Sequence, residues 1–488
     1  MINVFPQPYQ FEEKTGEFVF SDKVYLILDK SFDNPEFLEL CPELWNNFTA
    51  NKSNLEVIFQ DGISGSAKIA LKAEEPPKGG NTDFEYELEC SENGIEILYK
   101  ETIGLIHAFS TILQLVSAYR RKTNDFIVKN IHIQDKPALK MRGMHLCVFP
   151  ETKLLFLTKL VRLCGLLKCT HIVLEFWGML KLETLEQLAW PFAYTKEDLA
   201  PIFKYGKAFG VEFIPMYNHM GHATQSRFKA GKSVLLDQAP EYEELFLPGG
   251  WTWDVENSET LQLLKDVREE LCEIFPDGEY FHIGCDEAYA LDTRHDAHGP
   301  ENETFINHVN TTAAHLKSIG RKPMMWADMF INHNKFAFPY VANATGRCHE
   351  YEKNFAALDK DMYLADWQYY IKEDQDGTVK FLSENWDAKK MVICPWDDIE
   401  HIRGMIRLAK KYELLGAIGT TWNTVNHEIK HMVYTACVMW DTDEEKTDVC
   451  TWETLKSFAA QNIRKLVPPM GVYQNAGFLE TELFHMVD

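Results

Sequence analysis

From Leu139 onward the sequence alternates short apolar runs with longer segments of helical periodicity. The runs are "KMRGMHLCV", "THIVLEFW", "VEFIPMYN", "YFHIGCDE", "KPMMWAD", "MYLADWQ", "KMVICPWD" and "GAIGTTWN". Buried strands separated by amphipathic helices are the pattern of repeated βα units, whose strands run parallel and are covered by the helices between them. Eight such units in roughly 290 residues predict a closed (β/α)8 barrel. "TKEDLAPIFKYGKAFG" reads as one of the covering helices, with Thr195 as its N-cap, and "SETLQLLKDVREELCEIF" as another.

The stretch before the barrel differs in kind. "EFVFSDKVYLILD" and "GIEILYK" are β-rich, and "TIGLIHAFSTILQLVSAYRR" has helical periodicity. The expected class is therefore α/β: a (β/α)8 barrel preceded by a smaller α+β domain. The expected divisions are a non-catalytic domain over 1–135, a catalytic barrel over 136–440, and a C-terminal helix and tail over 441–488 packed on the barrel.

A barrel of this kind carries its active site at the C-terminal ends of its strands. Strand after strand ends on an indole or an acid: Glu175 and Trp177, Asp286 and Glu287, Trp326 and Asp328, Asp366 and Trp367, Trp396 and Asp397, and Trp422. Indoles interspersed with carboxylates suit a sugar, with flat walls for the ring faces and acceptors for the hydroxyls. The remaining tryptophans, Trp45, Trp251, Trp253, Trp386, Trp440 and Trp452, are assigned to packing.

Charge narrows the partners. A formal charge of −24 repels phosphate backbones and anionic lipid, so neither nucleic acid nor a membrane is expected as a partner, and a neutral carbohydrate fits better. The 11 cysteines are an odd number without paired ligand spacing, which argues for reduced thiols and against structural zinc. With no basic and apolar leader at the N-terminus and no apolar run of about 20 residues, a cytoplasmic location is expected. No metal and no cofactor is expected.

The fourth run ends on Asp286 and Glu287. Successive strand residues point to opposite faces, so both acids share one pocket only if the chain bends there, and Gly284 leaves space for such a bend. Glycoside hydrolysis requires an acid for the leaving oxygen and a second group to stabilise the developing positive charge. His282, inside the strand, is placed behind the pair as a hydrogen-bonded support.

These residues resemble a known family. "HIGCDEA" is similar to the His-x-Gly-x-Asp-Glu signature of glycoside hydrolase family 20, the β-N-acetylhexosaminidases. "MRGMHL" resembles the first barrel strand of that family and "IPMYNHMGHA" its third; "MMWADMF" and "GTTWN" resemble its later Trp-bearing strands. "AFSTILQLV" is similar to its preceding domain. The resemblance covers about residues 1 to 435. It implies that Arg142 and His222 bind the sugar. It also implies substrate-assisted retention, in which the 2-acetamido oxygen attacks C1, Asp286 holds the acetamido N–H and Glu287 acts as general acid and then base. The tyrosine that clamps the acetamido carbonyl in the family is not found in "ICPWDDIEH". Two alternatives stay open: a retaining glycosidase for a sugar without that group, and a sugar-binding barrel of weak activity.

Overall fold

The computed structural model describes residues 4–30, 32–59, 71–74, 83–116, 118–120, 125–150, 152–224, 235–288, 291, 301–332, 352–369, 375–422, 425–443, 446 and 452–467. Residue Asn423 and the tail from Pro468 lie outside this set.

The N-terminal part is one mixed sheet of eight strands: β1 (Gln10–Val19), β2 (Lys23–Leu28), β3 (Asn54–Phe59), β4 (Leu71–Glu74), β5 (Tyr86–Ser91), β6 (Gly94–Tyr99), β7 (Ala118–Arg120) and β8 (Asp125–Asp135). Their spatial order is β1-β8-β5-β6-β4-β2-β3, with β7 also on β8. Two helices cover it. The helix Pro35–Phe48 starts with Asn34 accepting the Phe37 N–H and with Pro35 in the first turn, where its missing N–H costs nothing. The helix Thr102–Leu115 is buried from Gly104 through Gln114. It needs apolar residues on every side because it lies between this sheet and the barrel helix Leu154–Leu166.

The second sheet is a closed parallel barrel: β9 (Met141–Val148), β10 (His171–Phe176), β11 (Glu212–Met216), β12 (Tyr280–His282), β13 (Lys322–Trp326), β14 (Tyr363–Asp366), β15 (Met391–Ile393) and β16 (Gly416–Gly419), which returns to β9. All eight correspond to the eight apolar runs. Alternation along the strands separates two cores. Met141, Val173, Ile214, Tyr280, Met324, Ala365, Val392 and Ile418 fill the interior, while Met144, Leu146, Ile172, Leu174, Phe281, Met325, Leu364 and Ile393 pack outward on the helices. Thr195 caps the helix Lys196–Ala208 in a reciprocal box with Asp198. The helix Trp452–Ile463 packs on the helices Val425–Trp440 and Leu154–Leu166. Among the described residues no helix is long and apolar enough to cross a membrane.

Asp135, the last residue of β8, marks where the two sheets meet. Its Oδ1 accepts from Tyr9 N–H (2.8 Å) and Trp440 Nε1 (2.7 Å), and its Oδ2 from Tyr86 Oη (2.5 Å) and Lys168 Nζ (2.7 Å). These partners come from the N-terminal segment, the first sheet, the loop before β10 and the helix after β16. The Lys136 N–H adds a further donor to Oδ1 at 3.0 Å, so both oxygens of this fully buried carboxylate are satisfied.

Candidate active site

β12 is hydrogen-bonded as a strand only over Tyr280–His282. Immediately beyond it the backbone takes positive φ at Gly284 (64°), Cys285 (68°) and Glu287 (46°). This breaks the strand alternation, and it is the bend that lets neighbouring acids face the same way. A side chain on Gly284 has no room, since its Cβ would lie 2.1 Å from Asn218 Oδ1. Cys285 and Glu287 hold a conformation that L-residues rarely adopt, and such strain gathers where geometry is functional.

Facing them is the loop after β11. His222, itself at φ 56°, places Nε2 at 3.2 Å from Asp286 Oδ2 and 3.2 Å from Glu287 Oε2. One imidazole therefore bridges both acids. Trp251 packs on this imidazole (4.4 Å between rings), and its Nε1 donates to the Glu287 carbonyl at 2.6 Å.

The two acids are held differently. Asp286 is 5% exposed, and its Oδ1 is buried with no hydrogen-bond partner among the described residues. Glu287 is less enclosed, and its backbone N–H donates to Asp328 Oδ2 at 3.1 Å. Burial, followed by the nearby charge of Asp286, pushes the Asp328 carboxyl well above the usual carboxylate range. Asp328 thus supports the Glu287 backbone from a buried position. His282 accepts from the Gly284 N–H at its Nδ1 (3.1 Å) and packs at a tilt on Trp326, 4.4 Å between rings. Burial holds its pKa well below the ordinary value, so the ring is uncharged and props the indole.

The wall is aromatic. Trp326 and Trp422 lie 5.7 Å apart, and Tyr369 lies 5.2 Å from both Trp367 and Trp396. Trp422 Nε1 donates to the Tyr369 hydroxyl, which also meets Thr420 Oγ1 at 3.4 Å. The Nε1 atoms of Trp326 and Trp367 are buried without protein partners among the described residues. Trp396 instead donates to Glu428 Oε1 at 3.1 Å, and Glu428 also meets His431 Nδ1 at 3.0 Å. Asp397 follows Trp396, its pKa raised by partial burial against the nearby charge of His431.

Arg142 requires correction. It is near the start of β9, and it alternates with Met141 of the barrel interior, so its side chain leaves the barrel at the end opposite the acids. Its guanidinium donates to the carbonyls of Lys168 (3.0 Å), Leu139 (2.9 Å) and Lys140 (3.2 Å) and covers the Trp440 ring at 4.9 Å. Both strand parity and strand end exclude contact with a sugar in the mouth.

Glu175 does point inward, but it is 3% exposed and spends its oxygens on protein: Oε1 accepts from Asn218 Nδ2 (2.7 Å) and Oε2 faces His145 Nε2 (2.9 Å). Trp251, Tyr369 and Glu428 belong to the site and were not singled out by sequence. Tyr369 had a signal, since it follows Trp367 by two residues and shares its face.

The sequence profile of "Glycosyl hydrolase family 20, catalytic domain" matches residues 131–440, and that of "Glycosyl hydrolase family 20, domain 2" matches residues 1–136. The chain is 25% identical over 338 residues to "Beta-hexosaminidase A" of Caenorhabditis briggsae, covering 62% of this chain and 59% of that protein. It is 23% identical over 384 residues to "Beta-hexosaminidase A" of Caenorhabditis elegans, covering 71% and 66%. Among solved structures, a mutant Streptomyces plicatus beta-hexosaminidase in complex with product (GlcNAc) superposes with a TM-score of 0.67 at 15% identity, over 96% of this chain and 98% of that one. With both parts of the chain matched in order, and the catalytic-domain profile spanning the whole barrel, this chain belongs to glycosyl hydrolase family 20.

Proposed function

We propose that the chain is an exo-acting β-N-acetylhexosaminidase that removes terminal β-linked GlcNAc or GalNAc with retention, using the substrate's own acetamido group as nucleophile. The observation that carries this reading is the unpartnered Oδ1 of Asp286 beside a carboxylate, Glu287, that shares His222 with it. A buried acceptor oxygen without a donor is costly in the free protein and is satisfied by an amide N–H. With that N–H held, the acetamido oxygen is turned toward C1 and proximity compensates for its weak nucleophilicity. As it attacks, Glu287 protonates the leaving oxygen; it then removes a proton from the water that opens the oxazolinium ion. Asp286 stabilises the positive charge of that ion.

Trp326, Trp367 and Trp422 serve as walls around the acetamido methyl. Tyr369 takes the place of the missing clamp, its hydroxyl donating to the acetamido carbonyl while Trp422 fixes its direction. With Arg142 facing away, recognition of the outer hydroxyls falls to Asp397 and Glu428. We place the activity in a reducing compartment such as the cytoplasm, in keeping with nine described cysteines, mostly buried, with no disulfide among them.

Chromogenic β-GlcNAc, β-GalNAc and β-glucoside substrates tested side by side address the reading directly. Turnover of the N-acetyl sugars with little or none of the glucoside is expected. Comparable turnover of the glucoside would remove the acetamido group from the reaction.

A further inference from the structure

Beneath the aromatic wall the barrel interior brings together three donors of different chemistry. In the parallel register of β9 on β10, Cys147 lies beside Glu175 and His145 beside Val173. All three side chains point inward and are buried. His145 Nε2 is 2.9 Å from Glu175 Oε2, Cys147 Sγ is 3.5 Å from the same oxygen, and Sγ to Nε2 is 3.9 Å. Ligands about 2.0–2.3 Å from a tetrahedral cation stand roughly 3.2–3.6 Å from one another, so these three atoms already span one face of such a site. Neither Asp286 nor Glu287 takes part.

We propose that His145 Nε2, Cys147 Sγ and Glu175 Oε2 bind one zinc ion in the floor of the barrel, with water at the fourth position. The donor set selects the metal. A sulfur and an imidazole nitrogen suit zinc, whereas magnesium and calcium prefer six or more oxygens. Charge favours it as well: a thiolate and a carboxylate with a divalent cation form a neutral unit, which can be buried where a lone carboxylate is costly. Binding releases the Cys147 thiol proton and any proton shared between His145 and Glu175 to solvent, so affinity rises with pH. The ion acts on the reaction only at one remove. By fixing Oε2 of Glu175 it fixes the carboxylate whose Oε1 holds Asn218, and Asn218 packs on Gly284 at the turn into Asp286. Zinc there is a positioning element and forms no bond to substrate.

The test needs no activity measurement. Untagged full-length protein, freed of metal with a chelator, is dialysed against zinc and, separately, cobalt(II). One equivalent of zinc, a raised Tm and a thiolate-to-cobalt charge-transfer band in the near ultraviolet are expected. Cys147→Ser should abolish the band, and Cys147→Ser and Glu175→Gln should each weaken zinc binding at least about 10-fold, a direct ligand being worth no less than a supporting one. Failure of the native protein to bind an equivalent of zinc, or a cobalt spectrum without thiolate character, overturns the proposal. So does unchanged binding in a folded Cys147→Ser. Should that variant not fold, the native cobalt spectrum alone decides.

Discussion

A methyl group on Gly221 would stand 1.9 Å from the carbonyl oxygen of Asp286. The loop that carries His222 therefore touches the backbone of the acid pair with no atom to spare, and the bridge from His222 to both carboxylates depends on that approach. Gly221→Ala should push the two segments apart while leaving the barrel folded. A displacement of about 1 Å in a reacting constellation costs on the order of 10²-fold in rate. Steady-state kinetics with circular dichroism as the folding control would check it; a variant within twofold of native kcat would show that the approach is not needed.

Glu287→Gln should lower kcat on an unactivated disaccharide by about 10² to 10⁴, the usual worth of general acid–base catalysis. Aryl leaving groups need less protonation and should lose less in the glycosylation step. Equal losses on both substrates would take the general-acid role away from Glu287.

Asp286→Asn should reduce kcat far more than it raises KM for N-acetyl substrates, because in the proposed mechanism the charge of Asp286 is most useful once the oxazolinium has formed. A thiazoline analogue should inhibit the native enzyme and bind the variant much less tightly. A thiazoline that leaves the native enzyme uninhibited would rule out the acetamido nucleophile.

Asp366 offers a pH-dependent test outside the mouth. Burial pushes its carboxyl up to about 7, with the Thr378 hydroxyl, 2.9 Å from Oδ2, pulling the other way. Between about pH 4 and pH 7 the unfolded chain has already lost this proton while the folded chain keeps it, so stability falls as pH rises through that window. Asp366→Asn should remove that slope and be the more stable form above pH 7, by on the order of 2–4 kcal/mol at most. Melting temperatures of the two proteins at pH 5 and pH 8 should diverge in that direction.

What the sequence revealed followed physical period. The barrel strands were legible because each is an unbroken apolar run between turn signals, and the acid pair because it interrupts one of them. Arg142 was misplaced because a motif gives neither strand end nor parity; both follow once the β9 register is known. Trp251 arrives from a loop between elements, where no period marks it. Cys147 and Glu175 meet only through interstrand register, and the one local trace of their cluster is the spacing His145-x-Cys147. Glu428 lies in the helix after β16, six residues beyond Trp422, too far for a strand-end rule to reach.

At the opposite end of the barrel, Lys168→Met should destabilise the protein by about 3–5 kcal/mol, because it leaves the fully buried Asp135 without its cation. Urea denaturation would measure this. A change below 1 kcal/mol would mean that the Tyr9, Tyr86, Lys136 and Trp440 donors suffice for the carboxylate.

The donors to Asp135 also decide whether the two family domains are separable modules. The aspartate belongs to the first sheet, but two of its donors, Lys168 and Trp440, belong to the barrel, and Lys168 also presents its carbonyl to Arg142. Cutting the chain after residue 135 strips a buried ammonium and a buried indole of their acceptor at one stroke. Neither half is then a finished product for grafting onto another enzyme, and in recombined chimaeras Asp135, Lys168 and Trp440 have to be inherited together.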